Sequence, residues 1–283
     1  MAEKTFLITG VSSGLGRAIA RQALLAGHRV VGTVRQEAQI ADFEALAAPN
    51  AFGRLLDVTD EEAVARVIDE VESTVGPIEV LVNNAGYGHE GAMEESTLED
   101  MRRQFDVNVF GLVAVTKAVL PKMRVRRSGH IIFITSMGGL RSFSGLSFYN
   151  GSKFAVEGIA GSLRLEIAPF GIHVTAVEPG SFRTDWAGRS MLRAPRSIAD
   201  YDETFGKTRA DRLKFDGNQL GDPDKAGQAI LTLVAAPNPP GHLLLGTDAV
   251  RLVRDARRAV DAEIEVWEEL SSSTDFAEGG AQW

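Results

Sequence analysis

The chain contains no cysteine. Disulfides, thiol catalysis and cysteine-bound metals are therefore excluded, and the composition fits a reducing compartment, with the cytoplasm expected. No apolar run approaches the ~18 residues needed to cross a bilayer, so no membrane partner is expected. The N-terminus lacks the long apolar core and the cleavage site of a signal peptide, because Glu3 and Lys4 lead straight into Thr5-Phe6-Leu7-Ile8-Thr9. Basic residues are in deficit, with Lys+Arg 30 against Asp+Glu 38 and a net charge of −8. No basic block stands out, which argues against nucleic acid as a partner. His28, His89, His130, His173 and His242 are scattered without metal-ligand spacing, so no metal is expected. What is present is an ordinary core-forming chain of 283 residues, 44% hydrophobic and 24% charged.

Strand and helix patterns alternate along it. Thr5 to Thr9 reads as a strand that runs into Gly10-Val11-Ser12-Ser13-Gly14-Leu15-Gly16. A helical pattern follows to about Gly27, and the strand Arg29 to Val34 closes a βαβ unit. Phe52 to Leu56 reads as a strand ending at Asp57, followed by Val58, and Glu61 to Val75 as a helix. Val80 to Val82 is a buried strand stopped by Asn83-Asn84-Ala85-Gly86. Leu98 to Met123 reads as one helical stretch bent near Asn108, and His130 to Thr135 as a strand ending at Ser136. Ser152 to Phe170 reads as a helix, with Tyr149 opening it, and His173 to Glu178 as a strand broken by Pro179-Gly180. Asp222-Pro223 is an N-cap and first-turn pair for a helix through Ala235. A short strand from His242 to Leu245 and an amphipathic helix from Val250 to Leu270 follow, with a loose tail from Ser271.

Strands separated by helices throughout predict a parallel sheet covered on both faces. No repeat or linker divides residues 1–270, leaving 271–283 as the tail. The segment 184–221 breaks the rhythm and is open to two readings, a substrate lid or a surface insertion with short helices.

In such a sheet, ligands bind beyond the carboxyl ends of the strands. The glycine turn, Asp57, Asn84-Ala85-Gly86, Ser136 and Pro179-Gly180 all fall there. The glycines let backbone approach a pyrophosphate, and the helix start supplies amide donors. Tyr149 and Lys153 are four apart, hence one turn apart on one helix face. A free tyrosine titrates near ~10, so acid–base work at neutral pH needs a drop of roughly 2–3 units. A unit charge ~4 Å away at an effective dielectric of ~20 is worth about 4 kcal/mol, enough for one lysine to supply it. Alone, such a pair is also an ordinary solvated helix face.

Taken together, Thr9-Gly10-x-x-x-Gly14-x-Gly16, Asn83-Asn84-Ala85-Gly86, Asn108, Ser136, Tyr149-x-x-x-Lys153 and Pro179-Gly180 resemble the single-domain short-chain dehydrogenase/reductase family, in order and in spacing, nearly to Ala249. The resemblance implies an α/β, doubly wound Rossmann-type sheet of seven mostly parallel strands in three layers. It implies that Tyr149 exchanges a proton with a substrate oxygen, that Ser136 hydrogen-bonds that oxygen, and that Lys153 lowers the Tyr149 pKa and binds the nicotinamide ribose. Asn108 would hold a water in the proton relay. Gly10, Ser12, Ser13, Gly14, Leu15 and Gly16 would line the pyrophosphate turn. Asp57 and Val58 would meet adenine, and Asn84, Ala85 and Gly86 would pack on the adenosine side. Pro179, Gly180, Phe182 and Thr184 would border the carboxamide. The lesser readings are Asp57 as a strand-ending turn residue, Asn83 as a sheet-capping amide and Asn108 as a helix-bend residue. His89, after the Asn-Asn-Ala-Gly turn, is open to two readings, a substrate-facing residue or a solvated loop histidine, and the second is preferred.

No acid stands between Arg29 and Arg35, and Arg35 closes the second strand. An arginine there favours a 2′-phosphate, so NADP(H) is the expected cofactor and NAD(H) the alternative. The other reading of Arg35 is a solvent-side partner of Glu37. Gly32-Thr33-Val34-Arg35 and Leu243 to Ala249 look most like the 17β-hydroxysteroid dehydrogenase-like branch, implying a bulky apolar carbonyl or alcohol substrate. A non-catalytic NADP(H) sensor on the same fold is the competing function. A homodimer or homotetramer is expected through the helices Val109–Met123 and Ser152–Phe170, with Phe154, Ile159 and Leu163 as candidate contacts.

Overall fold

In the computed structural model, residues 2–186, 188–276 and 279 are described. Seven parallel strands form one sheet in the order β3-β2-β1-β4-β6-β7-β9. They are β1 (Thr5–Ile8), β2 (Arg29–Val34), β3 (Ala51–Leu55), β4 (Val80–Asn83), β6 (Gly129–Ile134), β7 (Ile172–Pro179) and β9 (His242–Leu245). The central strands are apolar on both sides, as a sheet covered on both faces requires. On one face Leu7, Leu81, Ile131 and Phe133 pack against α3 (Glu61–Thr74), α5 (Leu112–Arg126) and α6 (Ser147–Ile167). On the other, Phe6, Ile8, Val82 and Ile132 pack against α1 (Gly14–Leu25) and α8 (Pro223–Ala235). The chain reverses direction across the sheet between β1 and β4. The strand ends on either side of that point open a crevice, where the site lies.

Local chemistry sets the element ends. Asp60 accepts from Ala63 N to start α3, and Asp222 accepts from Asp224 N with Pro223 behind it to start α8. The bend expected near Asn108 is a π turn, Asp106–Gly111, joining α4 (Leu98–Phe105) to α5. A Cβ on Gly111 would meet Val58 Cγ2 at 2.6 Å, so only glycine lets the turn lie so close to the β3 end. π turns of this kind gather at functional sites.

Some elements differ from expectation. Helix α6 starts at Ser147, not Ser152, so Tyr149 and Lys153 share one continuous helix. A short α2 (Ala38–Glu44) follows β2. A second, two-stranded parallel sheet pairs β5 (Gly88–Glu90) with β8 (Met191–Arg193). These three-residue strands are too short to carry a sequence period. The irregular segment beyond Thr184 contains β8 and α7 (Lys207–Phe215), and it docks beside the crevice. Helix α9 (Thr247–Ser272) runs past the expected end at Leu270. Residues 277, 278 and 280–283 of the expected tail lie outside the described residues. Among the described residues, no helix is long and apolar enough to cross a membrane.

Candidate active site

A cleft of about 1790 Å³ opens along the carboxyl ends of the strands. Its wall includes Gly10, Ser12, Ser13, Gly14, Leu15, Arg35, Asp57, Val58, Asn84, Ala85 and Gly86 at one end. Ser136, Tyr149, Lys153, Pro179, Gly180, Phe182 and Thr184 line it at the other. Two expected residues, Gly16 and Asn108, stand behind that wall.

Gly10 and Gly14 take φ values of +73° and +61°, which favour glycine. Gly10 N donates to Thr33 O at 3.1 Å, pinning the turn to β2. Gly16 is glycine for packing: a Cβ there would run into Asn84 Nδ2 and Gly10 O. Asn84 Nδ2 donates to Thr9 O at 2.9 Å and Gly10 O at 3.0 Å, while Thr9 Oγ1 accepts from the amides of Asn84 and Ala85. The Asn84 side chain is thus a clasp holding the glycine turn against the β4 end. The Ser13 hydroxyl makes no cap bond at the start of α1, and no acid occupies the first turn. The first amides of α1 therefore face the cleft without a side-chain cap, an arrangement that suits a phosphate.

At the β3 end of the cleft, Asp57 Oδ1 accepts from Thr59 N at 3.0 Å and from Thr59 Oγ1 at 2.8 Å. This is the turn role open to it from sequence, and it coexists with a place on the cleft wall. Arg35 is exposed on the same wall beside Gln36 and Gln39. It makes no hydrogen bond or ion pair with Glu37 or with any other described residue.

At the other end, Ser136 caps a short turn after β6, its Oγ accepting from Gly138 N at 2.9 Å. The Ser136 hydroxyl also faces the Tyr149 phenol and lowers its pKa. Tyr149 is buried against Leu146 and Met191, with the Trp186 ring centroid 5.2 Å from its own. Lys153 Nζ donates to Ile134 O at 2.8 Å and stands 5.9 Å from the Tyr149 ring centroid. Burial pushes the Tyr149 phenol up to about 12, with the Ser136 hydroxyl pulling the other way. Burial also lowers Lys153 to about 8, opposed by the Glu157 carboxylate. The expected depression of the tyrosine by the lysine is therefore corrected. Desolvation sets the direction of the shift, the Lys153 ammonium is turned toward the β6 carbonyl, and Tyr149 is held as a neutral phenol.

Asn108 is fully engaged. Its Oδ1 accepts from Tyr87 N at 3.1 Å, and its Nδ2 donates to Tyr87 O at 3.0 Å and Ser152 Oγ at 3.1 Å. Ser152 Oγ donates in turn to Tyr149 O at 2.7 Å. The side chain ties the π turn to the helix that carries the tyrosine.

His89 is buried rather than solvated. It stacks on Phe148 at 5.3 Å between centroids, and burial lowers its pKa. His242 also departs from the sequence reading. Its Nδ1 lies 2.8 Å from Glu178 Oε1 on β7 and 3.5 Å from Glu157 Oε2, one turn beyond Lys153 on α6, joining two buried carboxyls. Both carboxyls are pushed up to about 7, chiefly by burial. Their separation in sequence, on α6, β7 and β9, hid this group.

Sequence reasoning also missed what anchors the segment over the cleft. Glu90, fully buried on β5, accepts from Arg193 Nε at 2.8 Å and from Arg212 Nη1 at 2.6 Å, with Arg209 Nε at 3.9 Å. Arg212 also donates to Ser144 O at 2.8 Å. Only the coming together of β5, β8 and α7 reveals the group, since Glu90 and Arg212 are far apart in sequence.

The short chain dehydrogenase family profile matches residues 4–193. The chain is 38% identical to 3-ketodihydrosphingosine reductase of Bacteroides thetaiotaomicron, over 87% of this chain and 89% of that one. A short-chain dehydrogenase structure from Streptomyces avermitilis superimposes with a TM-score of 0.90 at 41% identity, covering 97% of this chain and 100% of that one. The closed form of serine dehydrogenase with NADP+ bound gives a TM-score of 0.74 at 26% identity, covering 85% and 94% of the two chains.

Proposed function

The chain belongs to the short-chain dehydrogenase family and is an NAD(P)-dependent oxidoreductase, and on that premise we propose that it interconverts a bulky apolar ketone and its secondary alcohol with NADP(H). The observation that carries this reading is the setting of Tyr149. A neutral phenol with a serine hydroxyl facing it stands in an apolar recess formed by Phe143, Leu146, Trp186 and Met191. Leu192, Phe215 and Leu220 continue the apolar wall outward. A small polar substrate would leave this wall wet, whereas a long or polycyclic one would cover it.

The cleft fits a dinucleotide: the positive-φ glycines leave a cradle that side chains would fill, and the uncapped α1 amides border it. When bound there, the nicotinamide supplies the hydride. The protein supplies the rest. Tyr149 gives its proton to the carbonyl oxygen, and the Ser136 hydroxyl hydrogen-bonds the same atom. Lys153 offers an ammonium below the phenolate that remains, and offers hydrogen bonds to the ribose. A phenol pushed up to about 12 keeps its proton at neutral pH, the protonation state that ketone reduction starts from. The relative named as a ketosphingosine reductase acts on a long-chain ketone by its name, which supports the substrate class. The 17β-hydroxysteroid dehydrogenase-like branch would take a substrate of the same apolar class. A sensor would need no serine–tyrosine–lysine group, so the enzyme is the better reading.

For assembly we favour a homodimer or homotetramer through α5 and α6. Phe154 is exposed there, while Ile159 and Leu163 pack partly on the chain's own core.

The test is NADPH oxidation with two ketones of equal reactivity, one bearing a long alkyl chain and one a methyl group. The long-chain ketone should give at least a tenfold higher kcat/KM, about 1.4 kcal/mol. Equal values would refute the apolar-substrate reading, and no oxidation with either would refute the enzyme.

A further inference from the structure

We propose that Glu157, Glu178 and His242 form a divalent-cation site that joins α6, β7 and β9, and that zinc is the ion it suits. Each residue offers one donor atom, and the three donors lie within 4.8 Å of one another. His242 Nδ1 is 2.8 Å from Glu178 Oε1 and 3.5 Å from Glu157 Oε2. Ligands held at ~2.0–2.1 Å around a tetrahedral zinc stand about 3.3–3.4 Å apart. The two distances bracket that edge, so small side-chain adjustments would seat the ion. None of the three residues lines the cleft, and the site does not depend on the chemistry proposed there.

The state of the oxygens points to a ligand. Glu178 is fully buried and Glu157 is only 8% exposed. Both carboxyl oxygens of Glu157, and Oε2 of Glu178, are buried without a hydrogen-bond partner. Groups nearby are engaged elsewhere. Thr135 Oγ1 donates to Val177 O at 3.0 Å, and Lys153 Nζ donates to Ile134 O at 2.8 Å. Buried carboxyl oxygens are ordinarily hydrogen-bonded, paired or bound to metal, because bare ones are costly. A single imidazole proton on Nδ1 cannot satisfy two carboxylates, whereas a dication matches their combined charge. Without the ion, burial keeps protons on these oxygens, since both carboxyls are pushed up to about 7. Cation and proton thus compete for the same atoms near neutral pH, and the acid–base behaviour of Glu157 is that of the ion-free chain.

The donor set selects the ion. One imidazole nitrogen with two carboxylate oxygens is a set that zinc accepts, with a fourth position left for water. Calcium takes about 6–8 oxygens and magnesium a near-octahedral shell, so three donors, one of them nitrogen, serve neither. The His242 side chain is 47% exposed, which gives the ion a way in from solvent. The ligands come from the helix that carries Tyr149 and Lys153, from the strand that leads into Pro179-Gly180, and from the edge strand of the sheet. An ion there would staple the edge strand to the helix that holds the tyrosine.

The test uses tag-free protein, stripped with EDTA and dialysed, above pH 7. By isothermal titration calorimetry it should bind one Zn²⁺ per chain with micromolar or tighter affinity, and Mg²⁺ should give no binding heat. At a hundredfold excess over Kd, zinc should raise the melting temperature by about 5 °C. His242→Gln and Glu157→Gln should each weaken zinc binding at least tenfold, because an amide keeps the hydrogen-bonding shape but is a poor ligand. Melting of each variant without metal, at or above the wild-type temperature in at least one of them, separates lost binding from lost fold. His173→Ala removes the exposed imidazole beside His130 and should leave zinc affinity unchanged. Absence of zinc binding at micromolar concentrations would overturn the proposal, in favour of protons shared among the three groups. Binding that survives both glutamine variants would overturn it in favour of adventitious surface histidines. Binding lost in His173→Ala would place the ion at the His130–His173 pair and overturn it as well.

Discussion

Lys153 and Glu157 lie one turn apart on the buried face of α6, and the charge of each bears on the other. Burial drives Lys153 down to about 8, and the Glu157 carboxylate is what opposes that fall. Glu157 is itself pushed up to about 7, by burial first and by Glu178 as well, while Thr135, His242 and Lys153 pull it down. In Glu157→Gln the ammonium loses its support. The alkaline limb of ketone reduction should move toward lower pH by roughly one unit. Stability should change the other way. A carboxyl raised in the folded state favours folding below its unfolded pKa, near ~4.3, and that contribution is lost as pH rises toward 7. Above pH 7 the Gln variant should therefore melt higher than the wild type while working less well. Melting curves and kcat against pH, measured together, check this. A residue with only a packing role would not move the two in opposite directions.

Tyr149→Phe should lower turnover by about 10²–10⁴-fold, the usual worth of a positioned acid, and leave NADPH affinity within a few-fold. The phenol proton is lost, but the ring still packs on Leu146 and Trp186. Lys153→Ala should reduce both turnover and affinity, because one ammonium is assigned two duties. Stopped-flow turnover and fluorescence titration separate the two outcomes. Undiminished affinity in the alanine variant would remove the ribose contact.

The strands and main helices were legible because parallel strands are near-continuous apolar runs punctuated by Gly, Asn and Pro, as at Val80 to Gly86. The bend at Asn108 was legible too, although its π geometry was not. The register of Tyr149 and Lys153 needed only their spacing. Their electrostatics were not legible, since the sign of the tyrosine shift depends on burial, which spacing does not report. Long-range groups were equally hidden. Glu90 meets Arg212, and Glu157 meets Glu178 and His242, only after the sheet has assembled. His89 looked like a loop residue because the three-residue strand that buries it leaves no periodic trace.

Glu90→Gln should loosen the segment that covers the cleft. The carboxylate is fully buried and accepts charged hydrogen bonds from Arg193 and Arg212. Breaking a buried pair of this kind costs about 3–5 kcal/mol, because the partners remain buried without their counter-charge. The loss should fall on the β5–β8 contact and α7, not on the main sheet. Trypsin should then cut within 194–214 at least tenfold faster, with KM for a bulky ketone raised more than kcat is lowered. An unchanged cleavage rate would mean that the segment is held by its apolar contacts instead.

Arg35 decides the choice of dinucleotide if the guanidinium reads a 2′-phosphate. It stands at the end of β2, exposed on the cleft wall, and the alternative partner Glu37 does not engage it. No carboxylate occupies β2 to accept a ribose 2′-hydroxyl, as the selection of NAD would require. The phosphate is nearly doubly charged, and a guanidinium offers it paired donors. A hydrogen bond to a charged group is worth about 1.5–3 kcal/mol. At ~1.4 kcal/mol per decade, Arg35→Ala should weaken NADPH binding roughly 10–100-fold. NADH has no 2′-phosphate and should bind the variant almost as it binds the wild type. The wild type should therefore prefer NADPH, and the variant should lose most of that preference. Because the site is open to solvent, the wild-type preference should also shrink as salt rises, whereas the small residual preference of the variant should be nearly insensitive to salt. Fluorescence titration of both reduced cofactors into both proteins at two salt concentrations tests this. Equal affinities in the wild type, or the same ratio in the variant, would show that Arg35 closes its strand and does nothing more.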